Sequence, residues 1–178
     1  GLIKKSLTQS KWVDRYVTQR DMHWERGDIM INDRIKKQGH SPCLVVLTGQ
    51  KAADYSTIAK QLEKDLFDKG VNTYRYGFKY MGSALSIDLD MKYEELRQDM
   101  IKKLIEIAHA FCDSGMVFIT SISHISEQER EQITKIMFPY KSLVIALDDN
   151  ETSKVNADIR LSKIKRSLAD EIEGVIKS

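Results

Sequence analysis

The sequence predicts a three-layer α/β fold, in which a mostly parallel sheet is flanked by helices on both faces. Three observations carry that expectation. Short apolar runs recur between residues 43 and 148, each closed by polar or glycine-bearing turns, as buried parallel strands read. Stretches with apolar residues at helical spacing lie between them. The connections are only a few residues long, and strands alternating with helices at that tempo are crossover units. A length of 178 residues suits one such domain, and 42% apolar residues suffice for its core.

Each element follows in order. CLVVLTG (43–49) is an apolar run ending in Thr-Gly and reads as the first strand. STIAKQLEKDLFDKG (56–70) places Ile58, Leu62 and Leu66 four apart and closes on Gly70, an amphipathic helix with a glycine stop. VNTYRYG (71–77) is the second strand. Residues 94–112 put Leu96, Met100, Leu104, Ile107 and Phe111 on one face of a long helix. MVFITSI (116–122) is the third strand, SEQEREQITKIM (126–137) a polar-faced helix and SLVIALD (142–148) the fourth strand. NADIRL (156–161) is a candidate fifth strand, and SLADEIEGVIKS (167–178) a closing helix.

The first 21 residues stand apart as an N-terminal extension, with the domain proper over 22–178. The extension carries Lys4, Lys5, Lys11 and Arg15 around Trp12 and Tyr16. Such a stretch could touch phosphates or a membrane surface; the plainer expectation is a segment docked on its own domain or a neighbour. Overall charge nearly cancels, with 28 Lys+Arg against 26 Asp+Glu, which argues against a dedicated nucleic-acid binder. No apolar run approaches the roughly 18–20 residues of a membrane helix, and nothing reads as a signal segment. Cys43 and Cys112 lie in apolar contexts and are expected to be reduced core thiols of a cytoplasmic protein. No metal site is expected, because His23, His40, His109 and His124 show no ligand spacing with each other or with the cysteines.

In open parallel sheets ligands bind beyond the carboxyl ends of the strands, which directs attention to the turn at 49–57. A phosphate-binding loop reads G-x-x-x-x-G-K-[ST]: glycines let backbone N–H groups wrap the phosphates, the lysine neutralises them and the hydroxyl holds magnesium. Here Gly49 opens the frame and Ser56 and Thr57 close it, but Asp54 stands at the second glycine and Tyr55 at the lysine. A carboxylate about 4 Å from a phosphate oxygen costs roughly 4 kcal/mol at an effective dielectric of about 20, and losing the lysine forfeits a similar attraction. Lys51 is the one nearby cation that could substitute. The favoured reading of 49–57 is a plain strand-to-helix connection.

From here the chain resembles the adenylylsulfate kinases, phosphate-loop enzymes that phosphorylate the ribose 3′-hydroxyl of adenylylsulfate with ATP. The family string T-G-L-S-G-S-G-K-S-T-I-A is matched without gaps by TGQKAADYSTIA (48–59). Its leading W-H-x-G-x-V-T arm corresponds to Trp24 through Met30, its D/E-R step to Asp33-Arg34, and its G-H/Q-x-G-C/A segment to Gly39 through Cys43. Leu85 through Lys92 echoes L-N-R-D-L-G-F-S, RQDMIKKLIEIA (97–108) echoes the following helix, and CDSGMVFITSISH (112–124) and VIALD (144–148) echo the next two strands. The likeness spans roughly residues 22–175 and implies the family's fold.

The departures bear on activity. Where the family has D-G-D-N-V-R, whose acids serve the acceptor hydroxyl and metal, this chain has Tyr76-Gly77-Phe78-Lys79-Tyr80-Met81. The substrate-gripping arginine of L-N-R-D-L is Ile87, and S-P-Y-R becomes His124-Ile125-Ser126-Glu127. Arg97 matches a family arginine but stands alone. After Asp148 the family's long lid segment is replaced by a short run into the last strand. Phosphoryl transfer depends on positioning and charge stabilisation, so these changes imply a domain without most of the lid and the catalytic residues. The former substrate site would comprise Tyr76, Phe78, Met81, Ile87, Arg97 and His124, and the degenerate loop Gly49, Lys51, Asp54, Tyr55, Ser56 and Thr57, with no catalytic residue assigned.

Two side-chain groups have rival readings. Tyr74, Tyr76, Phe78 and Tyr80 alternate, either as strand packing or as an aromatic surface that fills the old substrate site or contacts a protein. His124 either lines a cleft or serves a surface or interface role, and Ser121, Ser123 and Ser126 have no partners for a nucleophilic triad. The expectation is a non-catalytic structural or regulatory module of sulfate activation, needing no cofactor. It would pair with other domains or subunits of a sulfate-activating enzyme or with a second copy. The alternatives are a nucleotide or anion binder with weak ATP/Mg affinity, or a residual ATP-dependent 3′-phosphotransferase.

Overall fold

The computed structural model describes residues 2–49, 52–77, 93–147 and 155–178, and side chains within these from Val13 onward except at 52–55 and 93. Its elements are α1 (Leu2–His23), α2 (Ile31–Gln38), β1 (Cys43–Thr48), α3 (Ala52–Asp68), β2 (Thr73–Arg75), α4 (Tyr93–Asp113), β3 (Val117–Ser121), α5 (Glu127–Met137), β4 (Lys141–Ala146), β5 (Ile159–Arg160) and α6 (Leu168–Ile176). A 3-10 turn at Leu161–Lys163 follows β5.

The strands form one sheet in the order β2-β3-β1-β4-β5, all parallel. β1 is central and buried at every position, so its near-continuous apolar run is what a strand covered on both faces requires. Alternation sorts its side chains between two cores. Leu44 and Val46 meet Phe118 and Val144 beneath α4 and α5, while Cys43, Val45 and Leu47 meet Ile119 and Ile145 beneath α3 and α6. The expected three-layer architecture is therefore the observed one.

Helix ends are set by local chemistry. Gly70 at φ 78° and Gly115 at φ 95° follow α3 and α4 in the left-handed region. At the first, Gly70 N–H donates to Phe67 O and Val71 N–H to Leu66 O; at the second, Gly115 N–H donates to Cys112 O and Met116 N–H to Phe111 O. Both are Schellman closures. Ser126 caps α5 and Ser167 caps α6 by accepting the N–H groups of Glu129 and Asp170.

Several boundaries differ from the sequence reading. α3 begins at Ala52, four residues before the expected start at Ser56, because Ala52-Ala53 are strong helix formers and no second glycine opens the turn. α2 is a helix the apolar pattern does not announce: none of its residues is buried, and Met30 N–H is held by the Asp33 carboxylate at 3.0 Å. The long α4 extends one residue beyond the expected 94–112 at each end, and its buried stripe runs through Met100, Ile101, Leu104, Ile105, Ala108 and Cys112. Leu96, Ile107 and Phe111 lie on its margin.

The N-terminal segment is helical through His23 and packs on the α4–α5 layer through Val13, Tyr16 and Val17. Arg20 Nη1 donates to Ile136 O at 2.6 Å and Nη2 to Phe138 O at 3.4 Å. A cation there satisfies the last carbonyls of α5 at the negative end of its dipole. Cys43 and Cys112 are buried and free, and burial pushes the Cys43 thiol up to about 12 and the Cys112 thiol higher still.

Candidate functional site

The carboxyl ends of β1, β2 and β3 converge on the turn into α3. Three backbone contacts lace that edge together: Ile122 N–H to Leu47 O at 3.0 Å, His124 N–H to Gly49 O at 3.4 Å, and Leu147 N–H to Thr48 O at 3.0 Å. The buried Thr48 hydroxyl accepts from Ile125 N–H at 3.2 Å, and Thr120 Oγ1 donates to Tyr76 O at 2.9 Å. The β3–α5 loop is thereby fastened to the start of the 49–57 turn.

A buried ion pair completes the fastening. Arg97 Nη2 lies 3.1 Å from Glu129 Oε2, with the two side chains 14% and 9% exposed. The same nitrogen donates to Ser123 O at 2.7 Å and more weakly to His124 O at 3.3 Å. Glu129 also reaches back to Ser126 N–H at 3.4 Å while its own N–H donates to Ser126 Oγ, a capping box. Arg97 is thus committed to the chain's own loop. Glu129 is its partner, and the S-x-x-E spacing of residues 126–129 is the sequence signal that could have found it.

His124 is exposed and holds a left-handed φ of 49°, the one positive φ among described non-glycine residues. Its N–H and C=O are both occupied, by Gly49 O and the Arg97 guanidinium, and these contacts hold the conformation. Ser56 and Thr57 are exposed on the second turn of α3. Their backbone N–H groups therefore fall inside the helix, where the i−4 carbonyls claim them, and the free donors of the helix start are those of residues 52–55.

Tyr76 is half-buried and stacks on Phe118 at 6.3 Å between ring centres, while Tyr74 stacks on Phe111 at 5.1 Å. These two aromatics lie against the α4-side core. Of the remaining candidates, Lys51, Phe78, Met81 and Ile87 lie outside the described residues, as do Tyr80 and Asp148, and Asp54 and Tyr55 are described in backbone only. The structure therefore brings together Gly49, Tyr76, Arg97 and His124 at one edge, with Ser56 and Thr57 on the adjoining helix. Among the described residues no three His, Cys, Asp or Glu side chains converge as metal ligands.

The other histidines lie elsewhere. His40 is buried at the opposite end of the sheet, where Nε2 accepts Asn72 N–H at 3.1 Å and Nδ1 donates to Ser41 O at 3.0 Å. His109 is buried between Trp24 and Tyr140, with ring centres 5.7 and 5.1 Å away. Neither ring nitrogen makes a hydrogen bond of good geometry, and burial together with the Arg20 charge lowers its pKa. Tyr140 donates to Asp113 Oδ1, and burial and that carboxylate raise the phenol well above its ordinary value.

The family model described as Adenylylsulphate kinase matches residues 41–159, which includes β1 to β4, the first residue of β5 and the 49–57 turn. The chain belongs to the adenylylsulphate kinase family. The adenylyl-sulfate kinase of Staphylococcus carnosus is 24% identical over 156 residues, covering 84% of this chain and 78% of that enzyme. That of Thermodesulfovibrio yellowstonii is 32% identical over 111 residues, covering 62% of this chain and 55% of its own length. The chain thus spans little more than half of that second adenylylsulphate kinase. Among solved structures, the Mycobacterium tuberculosis APS kinase CysC in complex with AMPPNP and APS superposes with a TM-score of 0.59 at 18% identity, over 76% of this chain and 95% of that one. A hexameric APS kinase from Thiobacillus denitrificans gives 0.60 at 14% identity, over 78% of this chain and 28% of that one. At these identities the superpositions establish the adenylylsulphate kinase fold. Among the described residues no helix is long and apolar enough to cross a membrane.

Proposed function

We propose that this domain retains the adenylylsulphate kinase scaffold as a structural or regulatory module of sulfate activation and does not itself transfer phosphate from ATP. The observation that carries the reading is the start of α3 at Ala52, in a turn whose sequence has Asp54 and Tyr55 in place of glycine and lysine. A phosphate cradle needs flexible backbone N–H groups and a cation, and this turn offers helix and a carboxylate. The commitment of Arg97 to Glu129 supports the same conclusion. On this reading the domain requires no cofactor, works in the cytoplasm, and is partnered by other domains or subunits of a sulfate-activating enzyme or by a second copy of itself.

A second reading, a nucleotide or anion binder built on Gly49, Lys51, Asp54, Tyr55, Ser56 and Thr57, has one observation in its favour. The N-terminus of α3, whose first N–H groups have no partner within the helix, opens at the carboxyl edge of the sheet. Transfer of labelled phosphate from ATP to adenylylsulfate, and calorimetry with ATP, ADP and adenylylsulfate with and without magnesium, separate the readings. The scaffold reading expects neither product nor heat at millimolar ligand. Heat without product supports the binder, and product that disappears on Lys51→Ala overturns both.

A further inference from the structure

We propose that the outer edge of the sheet beyond β5 carries a docking groove for an extended acidic segment of a partner protein. The proposal is independent of whether the domain binds or turns over ATP, because β5 lies two strands from β1, roughly 10 Å at ordinary strand spacing, on the side away from β2 and β3.

Residues 160–166 read RLSKIKR, four cations in seven residues with no acid, in a chain whose formal net charge is only +2. The fold spreads these side chains along one open trench of about 580 Å³ between β5 and the start of α6. Two carboxylates, Asp158 and Glu171, also line it, and both are already taken. Asp158 Oδ2 accepts from Arg130 Nη2 and from Val144 N–H, each at 2.8 Å, and Glu171 Oε1 accepts from Arg166 Nε at 2.8 Å. Lys163 and Lys165 form no ion pair with any described residue, so the positive charge of the trench is not neutralised from within.

The shape and chemistry favour a peptide over a small anion. A small-anion site is built from converging, buried donors, whereas these lysines are exposed point charges along an open channel. Ile164, extended at φ −76° and ψ 143° as the chain leaves the 3-10 turn, is half-buried between the exposed Lys163 and Lys165. Ala157, Ile159 and Ile164 give the trench an apolar component between the cations. Mobile ammonium groups flanking apolar surface suit a chain that alternates carboxylates with apolar side chains.

The test uses the full chain and a fluorescein-labelled, end-capped peptide of alternating glutamate and valine, followed by anisotropy. Binding is expected, weakened at least tenfold in K163E/K165E. The pair K36E/K37E, with the same charge change on the exposed face of α2, should bind within twofold of the unaltered chain. Inorganic phosphate and a single-stranded oligonucleotide, each supplied at equal charge, should fail to displace the peptide. Absence of binding, equal losses in both double variants, or displacement by either competitor overturns the proposal. Thermal melts of both variants check the fold, and K163Q/K165Q replaces the first if it melts early; unchanged affinity in that variant also overturns the proposal.

Discussion

Arg97 and Glu129 illustrate how a side chain's neighbours decide what it can do. A guanidinium and a carboxylate this deeply buried are tolerable only while they face one another, since each alone would be an uncompensated charge. Arg97→Met should therefore cost about 3–5 kcal/mol, the usual consequence of breaking one side of a buried pair. Urea unfolding measures it. A loss below about 1 kcal/mol would mean that water reaches Glu129 and that the pair does not fasten the β3–α5 loop. His109 gives a second prediction, in pH. Its pKa in the fold is lowered by burial and then by Arg20, with the Phe138 carbonyl, Asp113 and Asp21 opposing more weakly, so the folded protein favours the neutral ring. The unfolded chain takes up the proton first as pH falls through about 6.5, so stability is full above that value and declines below it, toward the lower folded pKa. Denaturation midpoints should fall between pH 7.5 and 5.5, and His109→Phe should flatten that slope. An identical slope in the variant would assign the acid sensitivity to another group.

At the scale of elements, the stop of α3 was legible because it rests on one residue type with one conformational property. Gly70 announces the end of α3, and the Schellman bonds at Gly70 and Gly115 show why glycine is needed there. Gly115 is the more demanding of the two. A Cβ at this position would lie 3.0 Å from Gln38 Oε1 and 3.1 Å from Nε2. That amide cannot swing away freely, since Nε2 donates to His40 O and Gly115 O while Oε1 accepts from Asn72. Gly115→Ala should thus cost about 2 kcal/mol or more, from the left-handed backbone and from disturbing this network. Gly27→Ala, where an added Cβ meets nothing within 4 Å, should stay within about 0.5 kcal/mol. Thermal melts of the two variants side by side make the comparison, and equal shifts would contradict it. The early start of α3 and the helix α2 were not legible for a related reason. Neither is dictated by an apolar stripe: α2 buries nothing, and the first turn of α3 depends on alanine propensity where the family pattern places a loop.

Across the whole molecule, the layering and the parallel sheet were accessible from the alternation of patterns, whereas the strand order β2-β3-β1-β4-β5 is a property of the fold alone. The convergence at the carboxyl edge was not accessible either, because Gly49, Arg97 and the segment from His124 to Glu129 are distant from one another in sequence and meet only through the crossover of β3 beside β1. Tyr76 could be placed on its strand but not on Phe118, since stacking is decided by register across strands. The same separation of scales governs any attempt to restore chemistry. Asp54→Gly with Tyr55→Lys removes a carboxylate, supplies a cation and puts a glycine into the first turn of α3, where it costs about 1 kcal/mol of helix and frees backbone N–H groups. On charge alone, each change is worth up to roughly 4 kcal/mol toward a phosphate at an effective dielectric of about 20, an upper bound that solvent reduces. The double variant should therefore gain at least tenfold in ATP affinity by calorimetry. It should still transfer no phosphate to adenylylsulfate, because Tyr76 and Ile87 stand where the family carries an acid and an arginine, and Arg97 remains locked to Glu129. Binding is a property of the turn, whereas transfer requires groups from four separate segments in register. Product from the double variant at a rate well above that of the unaltered chain would show that the loop alone had been limiting and that the rest of the site is competent.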